Sequence, residues 1–571
     1  MLGPFLPDWQ PLSLPQQVAQ LIVVRTTGHL FDSQIRYPQW EADSVTLQHW
    51  IQELGIGGVI LLGGSVAELA LRTQQLQDWS QVPLLMAADI EEGVGRRFEG
   101  ATWMPPPLAL GTMAQRDLSQ ACAYAKQLGS VTAQEAKAVG LNWILGPVVD
   151  INNNPQNPAI NVRAFGETPE IVTPLIEAFI QGTQGWGVLT AAKHFPGHGD
   201  TAIDPHLDLP LISHPRERLE QIELVPFQAA IAAKVSAIMT AHLQVPALDP
   251  DYPTSLSPLT LTQLLRQEMG FDGLIVTDAL VMQAITKHYG AYEAPVMALE
   301  AGSDIILMPV DPPGTIAAIC EAVQTGRISR ERIHASLERI WRAKQVACAP
   351  MLSGGTGHEW ETQGPLTFQP DAIAQSQAIE LCQAILEQSL VVQFASASDS
   401  QAESMIGEGQ LGAIAPTNLI LIDNLLDANF LGMHTPAIKL PQQWGYQLQW
   451  IDNQMPKFSG SGLGPALGSV DAQNTLLQLF IRSNPFQDTT GLVQMAQHLI
   501  ETLIGINQLQ GLALYGSPYV WAQLAPLILA HVPAVFTYGQ MPTAQTIALE
   551  NLAHLGLITR SSQAIQQGFT D

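Results

Sequence analysis

The 571-residue sequence predicts an α/β chain, a (β/α)8 TIM-type barrel followed by a smaller αβα sandwich domain. Three observations carry that expectation. Eight short apolar runs alternate with helical patterns before residue 348. Most of these runs are continuous rather than alternating, as expected for parallel strands buried on both faces. Nearly every run ends on polar residues, as a barrel with its chemistry at one mouth requires. The even count and those polar ends favour a closed barrel over an open doubly wound sheet.

In chain order the runs are 20–25, 58–62, 83–90, 142–151, 188–195, 237–243, 273–280 and 304–309. Amphipathic stretches such as 66–79 and 217–234 lie between them and read as helices. Periodicity then stops: Ser353-Gly-Gly-Thr-Gly-His and the residues up to Pro370 read as a linker. The expected organisation is a barrel over 1–348, a linker over 349–370 and a sandwich domain over 371–571. In the last part a helix over 371–390 leads to strands at 391–394, 419–422, 476–482, 511–515 and 534–538, with a helix at 491–506 among them.

Composition narrows the function. Hydrophobic residues make up 46% and charged residues 13%; the usual charged share is roughly 25%, so large cores are expected and disorder is not. Lys and Arg total 25 against 51 Asp and Glu, a net charge of −26. That balance argues against nucleic acid and anionic membrane surfaces and leaves a small neutral or cationic substrate. No apolar run reaches the ~18 residues of a membrane span. The first residues lack the basic and apolar regions of a secretory leader, so a cytoplasmic location is expected. Cys122, Cys320, Cys348 and Cys382 are too scattered for a zinc or redox motif and read as free thiols. No metal and no cofactor are expected, and the oligomeric state is left open.

The polar run ends are where chemistry is sought. The third run ends in Ala88-Asp89-Ile90-Glu91-Glu92-Gly93, with Arg96 and Arg97 beyond it. The fourth ends at Asp150 and its loop carries Arg163; the fifth ends in Lys193-His194, the sixth in His242, the seventh in Thr277-Asp278. A carboxylate delivered by a rigid strand to a mouth lined with Arg and His suits a nucleophile or base. The plain alternative for Asp278 is a helix N-cap, and for His242 a satisfied core histidine. The densest stretch, Lys193-His-Phe-Pro-Gly-His-Gly-Asp-Thr-Ala-Ile-Asp-Pro-His206, admits three readings. One is a metal site on His194, His198, Asp204 and His206. Another is a Schiff-base lysine at Lys193. The third is an acid/base loop in which Asp204 orients His206. Lys193, Arg97 and Arg163 suit either ion pairs with Asp89 and Asp150 or recognition of sugar hydroxyls.

Taken together these words resemble the family 3 glycoside hydrolases, specifically the β-N-acetylglucosaminidase branch. The matching words are Lys193-His-Phe-Pro-Gly-His-Gly-Asp-Thr with Asp204-Pro-His206, Gly270-Phe-Asp-Gly-Leu-Ile-Val-Thr-Asp278, and Asp89…Glu92-Gly…Arg97. Asn161-Val-Arg163-Ala-Phe-Gly166 and Met239-Thr-Ala-His242 also match, while the sandwich part is a weaker match. The resemblance implies that Asp278 is the nucleophile, His206 the acid/base and Asp204 its partner. It implies that Asp89, Arg97, Arg163, Lys193, His194 and His242 line the site for a terminal N-acetylglucosamine. Two positions depart from the pattern: Pro205 replaces a usual serine, and Ala279 a common second acid. The resemblance implies a retaining hydrolase of small carbohydrates such as peptidoglycan fragments. The competing expectations are a phosphorylase or β-glucosidase of the same family, and a non-catalytic carbohydrate-binding protein.

Overall fold

The computed structural model describes residues 6–201, 209–348, 368–394, 415–425, 428–453, 474–482 and 489–557. The chain forms two compact units, Met1–Leu381 and Cys382–Asp571. Most of the expected linker, 349–367, and the loop residues Asp204, Pro205 and His206 lie outside the described residues.

Eight parallel strands build the first unit: β1 (Ile22–Thr27), β2 (Gly58–Leu62), β3 (Leu85–Ala88), β4 (Trp143–Ile144), β5 (Leu189–Phe195), β6 (Ala237–Thr240), β7 (Leu274–Thr277) and β8 (Ile306–Leu307). Their order is β7-β6-β5-β4-β3-β2-β1-β8. A bridge between Val276 and Ile305 joins the two ends, so the sheet closes on itself. This is the expected barrel. Several strands are shorter than the apolar runs that announced them, for local reasons. Pro147 has no N–H to offer the ladder, which resumes only at a Val148–Lys193 bridge. Met308 takes a positive φ of 49°, turning the chain out of β8.

Paired positions around the barrel share a face, so alternate residues form its filling. Val23, Ile60, Ala87, Trp143 and Leu189 lie within that filling, none more than 7% exposed. Burying each large side chain of this kind contributes about 1.5–3 kcal/mol. Helices cover the outside. Val66–Trp79 begins in a capping box between Ser65 and Glu68. The expected helix over 217–234 is two helices, Arg216–Gln221 and Val225–Ala232. Ile222 between them leaves helical geometry, and Pro226 starts the second where its missing N–H costs nothing.

The second unit is a six-stranded sheet of β9 (Val391–Gln393), β10 (Thr417–Ile422), β11 (Gln447–Asp452), β12 (Thr475–Ile481), β13 (Leu509–Gly516) and β14 (Ala534–Thr537). The order is β11-β10-β12-β13-β14-β9, parallel except for the antiparallel edge strand β9. Strand order reverses direction after β11. Right-handed crossovers therefore put helix Pro436–Gln443 on one face and helices Thr490–Gly505 and Pro518–Leu524 on the other, the expected αβα sandwich. β11 is a strand the apolar runs did not announce. Its residues Gln-Leu-Gln-Trp-Ile-Asp alternate, because it is a half-exposed edge. Among the described residues, no helix is long and apolar enough to cross a membrane.

Candidate active site

The C-terminal ends of β3 to β7 deliver Asp89, Asp150, Lys193, His194, His242 and Asp278 to one mouth of the barrel. Lys193 is the most constrained of these. It is buried, and its Nζ lies 2.8 Å from Asp89 Oδ1 and 2.6 Å from Glu91 Oε1. Glu91 in turn takes a two-pronged bond from Arg163, Nε to Oε2 at 2.9 Å and Nη2 to Oε1 at 2.7 Å. Arg163 also donates to the Ala159 carbonyl at 2.9 Å. Arg97 Nε donates to the Asp89 carbonyl at 3.0 Å, which fixes the guanidinium at the rim.

The electrostatics follow from this pairing. Burial pushes the Glu91 carboxyl up, but Arg163 and Lys193 outweigh it and hold the group well below the usual carboxylate range. Asp89 shows the same balance, with Lys193 and Arg97 as the opposing charges. Burial pulls the Lys193 ammonium down, and the two carboxylates raise it above its ordinary value. A lysine held protonated this way is the opposite of what Schiff-base chemistry requires. The Asp89 side chain stays one-third exposed. The cluster therefore presents fixed donors and one fixed acceptor towards the opening, an arrangement suited to a polyol.

A second hub lies beside it. Asp150, wholly buried, accepts from His194 N–H at 3.1 Å, from His194 Nδ1 at 2.8 Å and from His198 N–H at 2.7 Å. The bond to the Asp150 carboxylate puts the proton of a neutral His194 on Nδ1 and so sets its tautomer. The β5–β6 register shifts between Lys193 and Phe195, an irregularity that re-aims adjacent side chains. His198 Nδ1 meets the Thr201 hydroxyl at 2.9 Å, while its buried Nε2 has no hydrogen-bond partner among the described residues. Burial drives its pKa down to about 4, against the pull of Asp150 and Asp278, so it is neutral at physiological pH. Gly199 explains how this loop packs so tightly: a Cβ there would sit 1.6 Å from the Ile151 carbonyl oxygen. Asn157 completes the seal, donating to the carbonyls of His198 and Gly199 at 2.8 and 2.9 Å.

Asp278 is half-buried at the end of β7. Its N–H bonds the Thr240 carbonyl at 3.1 Å, and its Oδ1 accepts from Ala279 N–H at 2.7 Å. The following helix starts at Gln283 with Met282 as its cap, so Asp278 is not a helix cap. His242 is fully buried; its Nδ1 meets Ser255 Oγ at 2.7 Å and its Nε2 the Ala279 carbonyl at 3.3 Å. That geometry supports the backbone just beyond Asp278.

The structure thus gathers Asp89, Arg163 and Lys193 in one bonded cluster, with Arg97 on the Asp89 backbone. His194 belongs to the Asp150 hub, and Asp278 and His242 to the β6–β7 side of the mouth. Asp204 and His206 lie outside the described residues. Lys193 pairs with Asp89 as expected, whereas Asp150 serves the two histidines, and Glu91 takes Arg163 and shares Lys193. Glu91 is the residue the sequence reading passed over. It lies in the turn just after β3, where strand alternation no longer applies, so the sequence carries no signal that separates it from Glu92. Its neighbour Glu92 turns away, to Trp103 Nε1 at 3.3 Å and Arg96 at 3.8 Å.

Comparison with known proteins gives this arrangement its place. Beta-hexosaminidase A of Pseudoalteromonas piscicida is 34% identical over 369 residues, 58% of this chain and 61% of that protein's length. The chain therefore spans less than two thirds of that relative. Beta-hexosaminidase of Nitrosomonas eutropha is 35% identical over 302 residues, covering 51% of this chain and 85% of the relative. The solved β-N-acetylglucosaminidase of glycoside hydrolase family 3 from Paenibacillus sp. FPU-7 superposes with a TM-score of 0.74 at 29% identity, over 96% of this chain and 97% of that one. A β-glucoside phosphorylase, BglX, shares the fold at TM-score 0.73 and 22% identity, over 96% of this chain and 93% of that one. The family model described as "Bacterial Glycosyl hydrolase family 3 C-terminal domain" matches residues 413–554. That described as "Glycosyl hydrolase family 3 N terminal domain" matches residues 13–343, more than half of the sequence. The chain belongs to glycosyl hydrolase family 3.

Proposed function

We propose that the chain is a retaining exo-β-N-acetylglucosaminidase that releases terminal β-linked N-acetylglucosamine through a covalent glycosyl-enzyme, with its chemistry in the barrel, residues 1–348. The observation that carries this reading is the barrel mouth. A carboxylate held by backbone at the end of β7 faces the same opening as a bonded Asp89–Lys193–Glu91–Arg163 cluster. Relatives named β-hexosaminidase support the sugar.

In this reading Asp278 attacks the anomeric carbon and departs when water replaces it. His206, oriented by Asp204, gives a proton to the leaving oxygen and later takes one from water. An imidazole can make that switch near neutral pH. Asp89, Arg97, Arg163, Lys193 and His194 hold the sugar hydroxyls and acetamide group. His242 steadies the segment that carries Asp278. The proposed substrates are N-acetylglucosamine-bearing cell-wall fragments handled in the cytoplasm, a setting that free Cys122, Cys320, Cys348 and Cys382 suit.

The test is turnover of a chromogenic β-N-acetylglucosaminide beside the matching β-glucoside. Preference for the first supports the reading, and preference for the second moves the chain to glucosidases. Running it in phosphate and in a phosphate-free buffer of equal ionic strength identifies the acceptor: free sugar in both means water, sugar 1-phosphate means phosphorolysis. A fluorinated slow substrate is expected to label Asp278, read as a peptide mass shift. Labelling at Asp89 or Asp150 would overturn the assignment.

A further inference from the structure

The turn after β3 carries Asp89, Glu91 and Arg97, and the segment 101–104 lies directly against it. Met104 N–H donates to the Glu92 carbonyl at 2.8 Å and Gly95 N–H to the Thr102 carbonyl at 3.0 Å. Trp103 Nε1 adds a third tie, to Glu92 Oε2 at 3.3 Å. The two backbones touch with no side chain between them. Gly93 has a φ of 78°, and a Cβ there would lie 2.6 Å from the Thr102 carbonyl oxygen. A Cβ on Gly95 would lie 2.2 Å from the Ala101 carbonyl oxygen. Contacts this close pass on any shift, so whatever places Thr102 places the turn.

One carboxylate does so. Glu135, in the last turn of helix Leu118–Ala138, is 1% exposed. Its Oε2 accepts from Thr102 N–H at 3.0 Å and its Oε1 from the Thr102 hydroxyl at 2.6 Å. Oε1 also accepts from Ala374 N–H at 2.9 Å, which pins the carboxylate from its other side. Ala374 reaches it with a positive φ of 48°, in a segment that Gln369 N–H fastens to the Ala138 carbonyl at 3.3 Å. Burial pushes the Glu135 carboxyl up, against the pull of these donors, and among the described residues no cation pairs with it. Every partner donates, so a glutamine in its place would turn an N–H2 group towards other donors.

We propose that Glu135 is a positioning residue for sugar binding: through Thr102 it fixes the turn that presents Asp89, Glu91 and Arg97 to the terminal sugar. The inference rests on the glycosidase reading above and adds a residue outside the mouth. Arg97 bonds the Asp89 carbonyl, and Glu91 between them bonds Lys193 and Arg163. A displaced Thr102 is therefore felt by the whole set of sugar contacts at once. The leaving-group proton comes from another loop in that reading, so protonation is untouched.

The experiment uses the full chain and two aryl β-N-acetylglucosaminides, one with a good and one with a poor leaving group. Glu135→Gln is expected to lower kcat/KM about tenfold on both, mostly through KM, and to raise the inhibition constant of free N-acetylglucosamine by a similar factor. Thr102→Val should give a smaller loss of the same form, about threefold, and Thr102→Ser should restore it, because serine keeps the hydroxyl. This pair decides the matter if Glu135→Gln does not fold. A lower melting temperature with KM and the inhibition constant unchanged would make Glu135 structural only and overturn the proposal. So would a loss confined to the poor leaving group. If the wild type neither turns over nor binds N-acetylglucosamine compounds, the glycosidase reading fails by itself. Hydrogen exchange then decides whether Glu135 fixes the turn: faster exchange over 92–104 in Glu135→Gln, with the peptide around Asp150 unchanged, keeps that role, and unchanged exchange over 92–104 rejects it.

Discussion

The barrel carries a buried charge network at each end, and the two are built to opposite plans. At the N-terminal end Asp304 is fully buried and saturated. Arg266 and Arg339 bond it, Arg332 lies 3.6 Å away, Ser336 Oγ donates at 2.8 Å and Ile275 N–H at 3.0 Å. At the C-terminal mouth the groups are fixed on one side and open on the other. Lys193 is buried while its partner Asp89 is one-third exposed, and among the described residues the buried Nε2 atom of His198 has no partner. A network that closes on itself stabilises the fold, whereas one with unspent donors and acceptors is prepared for a ligand.

That contrast can be broken deliberately. The largest effect is expected from Asp278→Ala, a loss in turnover of roughly three orders of magnitude or more with the melting temperature hardly changed. Asp304→Ala should do the reverse. Stranding its arginines is expected to cost about 3–5 kcal/mol in urea unfolding, with kcat per folded molecule preserved. Should Asp304→Ala impair kcat as well, the two ends are not separable. Glu91→Gln falls between them, with both a lower melting temperature and a fall in kcat/KM of about tenfold or more, because Lys193 and Arg163 lose a shared partner. The smallest effect sharpens the comparison through pH. His198 has a folded pKa near 4, below its ordinary value of about 6.5, so the unfolded chain takes up the proton first. Its neutral burial therefore favours acid sensitivity: stability falls as pH drops from about 6.5 towards 4. His198→Gln should remove about 2 kcal/mol of the wild-type loss between pH 7 and 4.5. Glu91 and Asp89, held below the ordinary carboxylate range, add stability that is present above about pH 4 and lost below it, so their effect appears in a later, more acid window.

Much of this was legible in the residues. The eight barrel runs are apolar on both faces because strands in a closed parallel sheet have no wet side, and that leaves an unbroken signal. β11 left no such signal, since an edge strand needs only one buried face. The boundaries of β4 and β8 depended on a proline without a donor and a methionine in a left-handed turn, effects of one residue each. At the site, strand ends named Asp89, Asp150, Lys193, His194, His242 and Asp278 as mouth residues, because strand direction alone decides which end a residue reaches. Partnership was harder. Adjacent Glu91 and Glu92 look alike in a sequence, and only the turn after β3 decides which meets Lys193.

The Asp150 hub has a consequence for how this protein can change over generations. One carboxylate anchors the side chain of His194 and the main chain of both His194 and His198. The three positions are therefore a single heritable unit rather than three independent ones. A substitution tolerated at position 198 beside an intact Asp150 acquires a different cost once that carboxylate is gone, because the same lost anchor is counted only once. Libraries that vary His194, His198 and Asp150 one at a time would rank them misleadingly. Recombining them as a block is the route by which the pocket can be retuned without first passing through an inactive intermediate.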